Sequence, residues 1–98
     1  MNRLDYGERA LLDLERLTDF LVEKDPDAAR ATVGLILSAL AVLRHSPEIG
    51  RKVRGGNREL VISRGATGYL ALYHFFAQHS RVLVLAVRHQ REAGYAGQ

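Results

Sequence analysis

Two apolar helical patterns separated by a very short polar break constrain the fold of this chain most. The first pattern repeats at spacings of three and four residues and comprises Ala10, Leu14, Leu17 and Leu21. This spacing places the side chains on one face of a helix that begins near Gly7. In the break, Asp25 is a good N-cap and Pro26 a good first residue for a second helix.

The second helix is predicted from Pro26 to the Ser46-Pro47 dipeptide, because a residue before proline leaves the helical region. His45 is expected in its last turn. Its predicted buried face comprises Ala29, Val33, Ile36, Leu37, Leu40 and Leu43. Two helices joined by so few residues lie antiparallel, so the sequence predicts a helical hairpin.

After Pro47 the hydrophobic period changes to that of strands. Short turns predict an antiparallel meander of three strands: Leu60–Ile62, Tyr69–Phe76 and Val82–Val87. A further short strand is expected at Leu4–Tyr6, and residues 51–58 are interpreted as a mobile basic loop. The predicted class is therefore α+β, with a helical hairpin on one face of a small antiparallel sheet.

Both faces of the predicted strands are apolar, whereas two helices cover only one face of a small sheet. We therefore expect an apolar groove on the other face, filled by a partner protein, by the C-terminal tail or by a second copy. The partner protein is the sharper of these hypotheses.

Length and composition exclude several classes of protein. A chain of 98 residues fits a single domain spanning 1–98, and the absence of Cys excludes disulfide scaffolds, zinc ribbons and thiol enzymes. The longest apolar stretch, Val33–Leu43, is shorter than the roughly 20 residues of a membrane span, so we expect a cytoplasmic protein with no membrane partner. His74 and His79 have no acid nearby, so we expect no metal and no cofactor.

Charge is distributed unevenly along the chain. Residues 1–49 contain six bases and nine acids, a net charge of −3, whereas residues 50–98 contain eight bases and two acids, a net charge of +6. A basic half favours a polyanionic or acidic partner, although a soluble basic surface explains it equally well. The candidate phosphate- or partner-binding residues are Lys52, Arg54, Arg58, Arg64, Arg88 and Arg91.

One group of residues has the composition of an acid–base site. His89 follows Arg88 at the end of the last predicted strand, and Tyr95 lies six residues further on. RNA cleavage needs a base for the 2′-hydroxyl, a cation for the phosphate and an acid for the leaving oxygen. His89 and Tyr95 are therefore the catalytic candidates if the protein is a ribonuclease. Their spacing alone favours a solvated basic tail over a catalytic site.

The order of elements and several short motifs resemble the RelE/ParE toxin superfamily over nearly the whole chain. The motifs are Asp13-Leu14 with Ala10, Ser46-Pro47-Glu48-Ile49-Gly50-Arg51, Arg58-Glu59-Leu60-Val61-Ile62, Gly68-Tyr69 with Leu72-Tyr73, and Val84-Leu85-Ala86-Val87-Arg88-His89-Gln90-Arg91. The resemblance implies a cytoplasmic plasmid-stabilisation toxin of a type II toxin–antitoxin pair, bound and neutralised by a cognate antitoxin. It implies contact with operator DNA only through that antitoxin.

The superfamily contains two activities, and the resemblance favours one of them. The Val87–Arg91 ending looks like that of ParE-like members, which inhibit DNA gyrase without being nucleases. Ribonuclease members, which cut mRNA on the ribosome, usually carry an arginine where this chain has Leu70. The expectation is therefore a non-enzymatic gyrase inhibitor. The alternatives are a ribosome-dependent mRNA endoribonuclease and a decayed member that only binds its antitoxin.

Overall fold

The computed structural model describes residues 1–63 and 68–96, so residues 64–67 of the turn predicted between the first two strands of the meander lie outside the described residues. Seven main elements follow one another along the chain. They are β1 (Arg3–Tyr6), α1 (Glu8–Lys24), α2 (Pro26–Ala41), β2 (Arg51–Lys52), β3 (Arg58–Ile62), β4 (Tyr69–Phe76) and β5 (Arg81–His89).

The helical hairpin is confirmed. The Asp25 carboxylate accepts hydrogen bonds from the backbone N–H groups of Asp27 at 3.1 Å and Ala28 at 3.3 Å, which caps α2 behind Pro26. At the other end, α2 tightens into a 3-10 turn, Val42–Arg44. His45 therefore lies just beyond the helical segment rather than in the last turn of α2, where it was expected.

The sheet is larger than expected and is mixed. Its strand order is β1-β5-β4-β3-β2, and the predicted meander forms its antiparallel part. The N-terminal strand β1 pairs with β5 in parallel, so the sheet is not purely antiparallel. The interpretation of residues 51–58 as a mobile loop was wrong, because β2 pairs with β3 there and Gly55 and Gly56, both at φ 76°, close the tight turn.

Both helices pack on one face of this sheet, as predicted, and the hydrophobic core fills the space between the two layers. Its buried residues are Ala10, Leu17, Ile36, Leu40, Leu43, Ile62, Tyr69, Ala71, Tyr73, Val82, Val84 and Val87. Two of these side chains, Tyr69 and Tyr73, carry a hydroxyl group, and that of Tyr73 is satisfied within the core. It donates to the Pro47 carbonyl at 2.7 Å and accepts from the Gly50 N–H at 2.9 Å. A Cβ at Gly50 would lie 2.6 Å from this hydroxyl, so the link into the sheet requires glycine.

Helix α2 and the 3-10 turn together form a helical segment, Pro26–Arg44, of 19 residues with a mean hydropathy of 1.4. By length and composition alone this segment is sufficient to cross a membrane, which the shorter apolar stretch in the sequence did not indicate. In the fold, one of its faces is a core face, because Ile36, Leu40 and Leu43 are buried against the sheet.

The other face of the sheet carries the apolar side chains that the sequence predicted there, and it is only partly covered, because Val61 of β3 is 37% exposed. Leu70 on that face is only 8% exposed, and the C-terminal segment crosses beside it, with Tyr95 bonded to Glu59 of β3. Among the described residues, the strongly exposed large apolar side chains lie mainly on the helices and turns instead. On the helices and the 3-10 turn they are Leu11, Leu12, Phe20, Val22, Leu35, Leu37 and Val42.

Candidate functional site

His89 ends β5 on the helix-facing side of the sheet. It pairs with Tyr69 of β4, and the two rings meet edge to face with their centroids 5.2 Å apart. The Nδ1 atom of His89 accepts a hydrogen bond from the Arg91 backbone N–H at 3.1 Å. The ring borders a cavity of about 570 Å³ lined by Arg16, Leu17, Phe20, Leu21, Tyr69, His89, Arg91 and Glu92.

Tyr95 lies on the opposite side of the sheet. Its hydroxyl donates a hydrogen bond of 2.6 Å to Oε2 of Glu59, and the Arg88 guanidinium lies 5.1 Å from the centroid of its ring. Glu59 is 6% exposed and also accepts two hydrogen bonds from Arg51, which sits opposite it on β2. We call Arg51, Glu59, Arg88 and Tyr95 the open-face cluster.

Electrostatics in the open-face cluster keep Glu59 ionised and Tyr95 neutral. Burial raises the pKa of Glu59, but the Tyr95 hydrogen bond and the Arg51 charge outweigh burial and hold the pKa below its ordinary value. Burial and the hydrogen bond to Glu59 both raise the pKa of Tyr95 far above neutrality. The same ion pair raises the pKa of Arg51. The phenol therefore remains a donor to a carboxylate at physiological pH.

Arg88 is held by the C-terminal turn that follows β5. Its Nη1 donates to the Glu92 carbonyl at 2.7 Å, while its buried Nε has no hydrogen-bond partner among the described residues. Arg58, another predicted phosphate ligand, is used structurally, because it donates to the carbonyls of Glu48 and Gly50. The hydrogen bonds of Arg58 therefore fix the backbone just before β2, and those of Arg88 fix the backbone just after β5.

Three of the other predicted basic residues are exposed. Lys52 lies on the edge strand β2, Arg54 lies in the following turn, and Arg91 lies just after β5. Arg64 belongs to the part of the chain outside the described residues. Of the predicted phosphate- or partner-binding residues that the structure describes, Lys52, Arg54 and Arg91 are exposed, whereas Arg58 and Arg88 are already bonded to backbone carbonyls.

A second polar network, which the sequence did not reveal, joins α1 to the C-terminal turn. Asp13 is fully buried and accepts a hydrogen bond from the Val87 N–H at 2.9 Å, beside a bulge in the β4–β5 ladder. Arg16 extends from Asp13 to Glu92, whose Oε2 it reaches at 2.8 Å, and Glu92 Oε1 accepts from the His89 N–H. Asp13 therefore satisfies a backbone donor that would otherwise be buried alone.

Glu59 and Glu92 carried a usable signal in the sequence. They are the only two acids in the basic half of the chain, and each is bonded to an arginine. A lone acid among bases, placed on an apolar strand, points to a buried ion pair. Which arginine it meets depends on strand register, and the sequence pattern alone did not determine that register.

The geometry limits the acid–base chemistry of this region. Antiparallel partners point to the same side, so His89 shares a side with Tyr69, whereas Arg88 points with Leu70 to the other side. His89 and Tyr95, proposed as a catalytic pair, therefore lie on opposite faces of the sheet. A general acid and a general base must both reach one substrate, and these two side chains do not converge.

Comparison with known proteins places the chain in a family. The model of the ParE toxin of type II toxin–antitoxin systems (parDE) matches residues 4–94. The chain belongs to the ParE toxin family. It is the toxin component of a type II toxin–antitoxin system, within the wider RelE/ParE superfamily. The resemblance read from the sequence motifs is confirmed.

Curated relatives and solved structures agree with this assignment. Toxin RelE3 of Caulobacter vibrioides is 34% identical over 92 residues, which cover 94% of this toxin and 98% of the relative. Toxin RelE1 of the same organism is 37% identical over 74 residues, covering 76% of this toxin and 80% of the relative.

The fold is also found in solved structures. A chain of the chromosomal ParDE system from P. aeruginosa superimposes with a TM-score of 0.76 at 22% identity, covering 91% of this toxin and 96% of that chain. A chain of the RelBE2 toxin–antitoxin complex from Mycobacterium tuberculosis gives a TM-score of 0.60 at 26% identity, with coverages of 91% and 98%. Two helices on a five-stranded mixed sheet are thus the fold of this toxin and of its structural relatives.

Proposed function

We propose that this toxin acts by binding and inhibiting DNA gyrase, and that it is not a nuclease. The observation that carries the proposal is the separation of His89 and Tyr95 on opposite faces of the sheet. Within the open-face cluster, Glu59 accepts hydrogen bonds from Tyr95 and Arg51, and Tyr95 is held neutral. Such a cluster supports a structural role better than proton transfer.

The binding surface that we propose for gyrase is the exposed basic end of the molecule. Arg91 stands exposed just after β5, beside the cavity that borders α1. Phe20, 59% exposed on α1, lies at the same cavity and adds an apolar contact. An exposed aromatic side chain beside an arginine is a combination typical of protein–protein contact sites.

We further propose that a cognate antitoxin neutralises the toxin in the cytoplasm as a protein complex. Related structures are toxin–antitoxin complexes, including RelBE of E. coli and RelBE2 of M. tuberculosis. On this chain, Leu11, Leu12 and Val22 of α1 are between 44% and 55% exposed. Exposed apolar side chains on one helix are suited to burial by a partner protein.

The test compares the two activities directly. Purified toxin is added to a supercoiling reaction with DNA gyrase and, separately, to ribosomes translating a defined mRNA. We expect loss of supercoiling with intact mRNA, and relief of inhibition when antitoxin is added. Arg91→Glu should weaken the inhibition about tenfold or more, because it reverses a charge at the proposed contact. Arg9→Glu, the same reversal at an exposed position near the start of α1, should change it little.

Cleavage of mRNA would contradict the proposal and favour the endoribonuclease. That reading has one observation in its favour, namely that the curated relatives carry the name RelE. The decisive variant for it is His89→Ala. If the toxin is a ribonuclease that depends on His89, the variant loses mRNA cleavage but still binds the antitoxin. If it is a gyrase inhibitor, neither the wild type nor the variant cleaves mRNA. Pulse labelling in cells shows which synthesis stops first, since a gyrase inhibitor stops DNA synthesis before protein synthesis.

A further inference from the structure

The cavity beside His89 combines apolar side chains with basic ones. Its volume of about 570 Å³ lies within the range of roughly 300–1,000 Å³ that ligand sites occupy. Leu17, Phe20, Leu21 and Tyr69 supply its apolar lining. Phe20 is 59% exposed, so this part of the wall is open to solvent. A cavity of this size and composition accommodates a large apolar side chain of another molecule.

Some of the charges around the cavity are already used within the fold. Arg16 bridges two carboxylates, with Nη1 2.8 Å from Oε2 of Glu92 and Nη2 3.5 Å from Oδ1 of Asp13. Glu92 also accepts a hydrogen bond from the His89 backbone N–H. These bonded charges support the C-terminal turn and therefore offer little attraction to a ligand.

Two further cations stand beside the apolar wall. Arg91 is exposed, and within the described chain its guanidinium has no hydrogen bond or salt bridge. The Nζ atom of Lys24, also exposed, lies 5.1 Å from the centroid of the Phe20 ring. The acids of α1 nearest to these groups in sequence, Asp19 and Glu23, are not among the described residues that line the cavity. The charge that remains available at the cavity therefore favours an anion.

His89 adds a directed hydrogen-bond donor. Its Nδ1 atom accepts the Arg91 backbone N–H, so the neutral ring carries its proton on Nε2. In the part of the chain that the structure describes, Nε2 has no hydrogen-bond partner. The same contact holds Arg91 beside the imidazole. Because a carboxylate accepts several hydrogen bonds, this N–H and the guanidinium form a suitable pair of donors for one.

The C-terminal segment of the chain does not supply the occupant in the structure. The Tyr95 hydroxyl is bonded to Glu59 on the opposite side of the sheet, so the described residues after Arg91 lead away from His89. An occupant of the cavity therefore comes from another molecule.

We propose that the cavity binds a segment of the toxin's target in which a large apolar side chain stands next to a carboxylate. The apolar side chain packs against Phe20 and Leu21, and the carboxylate accepts hydrogen bonds from Arg91 and His89. The inference rests on the function proposed above, in which the target is DNA gyrase. It adds the chemistry by which the contact segment on gyrase is selected, because an apolar wall discriminates against nucleic acid and in favour of an acidic protein segment.

N-acetyltryptophan tests this chemistry, since it joins one aromatic ring to one carboxylate. N-acetyltryptophanamide has the same ring without the charge and is the matched control. In NMR titrations of isotope-labelled toxin, up to about 10 mM of each compound, we expect the acid to bind with a Kd of about 1 mM. The amide should bind about fivefold more weakly. Equal binding of the two compounds, or shifts that spare the cavity residues, overturns the proposal.

Two substitutions locate the binding. Arg91→Gln should make the acid and the amide bind equally, because only the partner of the carboxylate is lost. Phe20→Ala should weaken both compounds about fivefold, because it removes apolar contact area. Arg9→Gln and Leu35→Ala, at exposed positions elsewhere, are the matched controls and should change neither. An acid preference that survives Arg91→Gln overturns the proposed carboxylate contact.

Competition connects the cavity with the target. A saturating concentration of N-acetyltryptophan should restore supercoiling in a gyrase reaction that contains the toxin, whereas the amide at the same concentration should restore much less. A reaction without toxin controls for effects on gyrase itself. Phe20→Ala should weaken the inhibition of gyrase and retain antitoxin binding. Loss of antitoxin binding with unchanged inhibition would assign the cavity to the antitoxin and overturn the proposal.

The two levels of the argument fail in different ways. Wild-type toxin that binds N-acetyltryptophan but leaves supercoiling intact overturns the proposed function and, with it, gyrase as the source of the segment. Wild-type toxin that inhibits gyrase as strongly as Phe20→Ala and Arg91→Gln do overturns the inference about the cavity and leaves the proposed function in place.

Discussion

The two faces of the central sheet use the same strands but are closed in different ways. On the helix-facing side, Val82, Val84 and Ala71 are fully buried under α1 and α2 by apolar contact. On the other side, closure depends on the open-face cluster, in which Tyr95 reaches back to Glu59. Apolar packing stabilises the whole domain without specifying one partner atom, whereas the polar contacts fix the position of the C-terminal segment.

This difference separates global stability from local order. Removal of an apolar core side chain should weaken every element that shares the core. Loss of a hydrogen bond in the open-face cluster should release the C-terminal segment first, because the bond from Tyr95 to Glu59 ties that segment to β3. The four predictions below test this division.

The largest effect is expected in the apolar layer. Leu40 is completely buried between α2 and the sheet, so Leu40→Ala should lower the free energy of unfolding by about 3 kcal/mol through lost burial and the cavity left behind. Urea denaturation measures this. Leu11→Ala, at a position 55% exposed, is the control and should change stability by less than about 0.5 kcal/mol. Equal losses from the two variants would contradict the location of the core.

A smaller effect, and a more local one, is expected for Glu59→Ala. The variant leaves the Tyr95 hydroxyl and Arg51 without their acceptor, which should cost about 2 kcal/mol. Hydrogen exchange followed by mass spectrometry should show faster exchange in residues 90–96 than in α2. Glu15→Ala, at an exposed helical position, serves as the control. Uniformly faster exchange throughout the chain would show that the two faces are not energetically separable.

Acid should weaken the polar face selectively. The folded pKa of Glu59 lies below its ordinary value of 4.5, so its ionisation stabilises the fold above that pH. This contribution is lost as the pH falls from about 4.5 through the lower folded pKa. Urea titrations at neutral and acid pH should show a smaller acid-dependent loss for Glu59→Gln than for the wild type. Identical pH profiles would assign the acid sensitivity to other carboxylates, such as Asp5, whose pKa the hydrogen bonds from Arg81 and Arg3 lower.

The smallest effect is expected for Tyr95→Phe, about 1 kcal/mol, because only one hydroxyl is removed. Since the folded pKa of Tyr95 is raised, its contribution is present at neutral pH and is lost as the pH rises above 10. The wild type should therefore lose more stability between neutral and strongly alkaline pH than the variant does. If the variant and the wild type lost the same stability at alkaline pH, Tyr95 would not act in the open-face cluster as described.

Most of the fold was predictable because its signals are local. The hairpin follows from Asp25 and Pro26, and the limits of β4, Tyr69–Phe76, were predicted from composition and flanking turns. The parallel pairing of β1 and the short strand β2 were not predicted. Both depend on which strands become neighbours, and a two-residue strand has too few side chains to show any period.

The site was less predictable than the fold. Arg88, His89 and Tyr95 are near neighbours in sequence, and proximity along the chain suggested proximity in space. Alternation along β5 instead sends Arg88 and His89 to opposite faces, and the following turn carries Tyr95 to the side of Arg88. The residues that complete each network, Glu59 and Asp13, lie far away along the chain.

The parallel pairing of the first and last strands has a consequence for synthesis. Strand β1 leaves the ribosome first, but the strand it pairs with, β5, leaves last, with Arg3 opposite Arg81. The helical hairpin can form early because its contacts are local, whereas its apolar face has no sheet to cover until β4 and β5 emerge. We therefore expect the nascent chain to remain inactive until β5 has emerged from the ribosome, so that the toxin becomes active in one abrupt step.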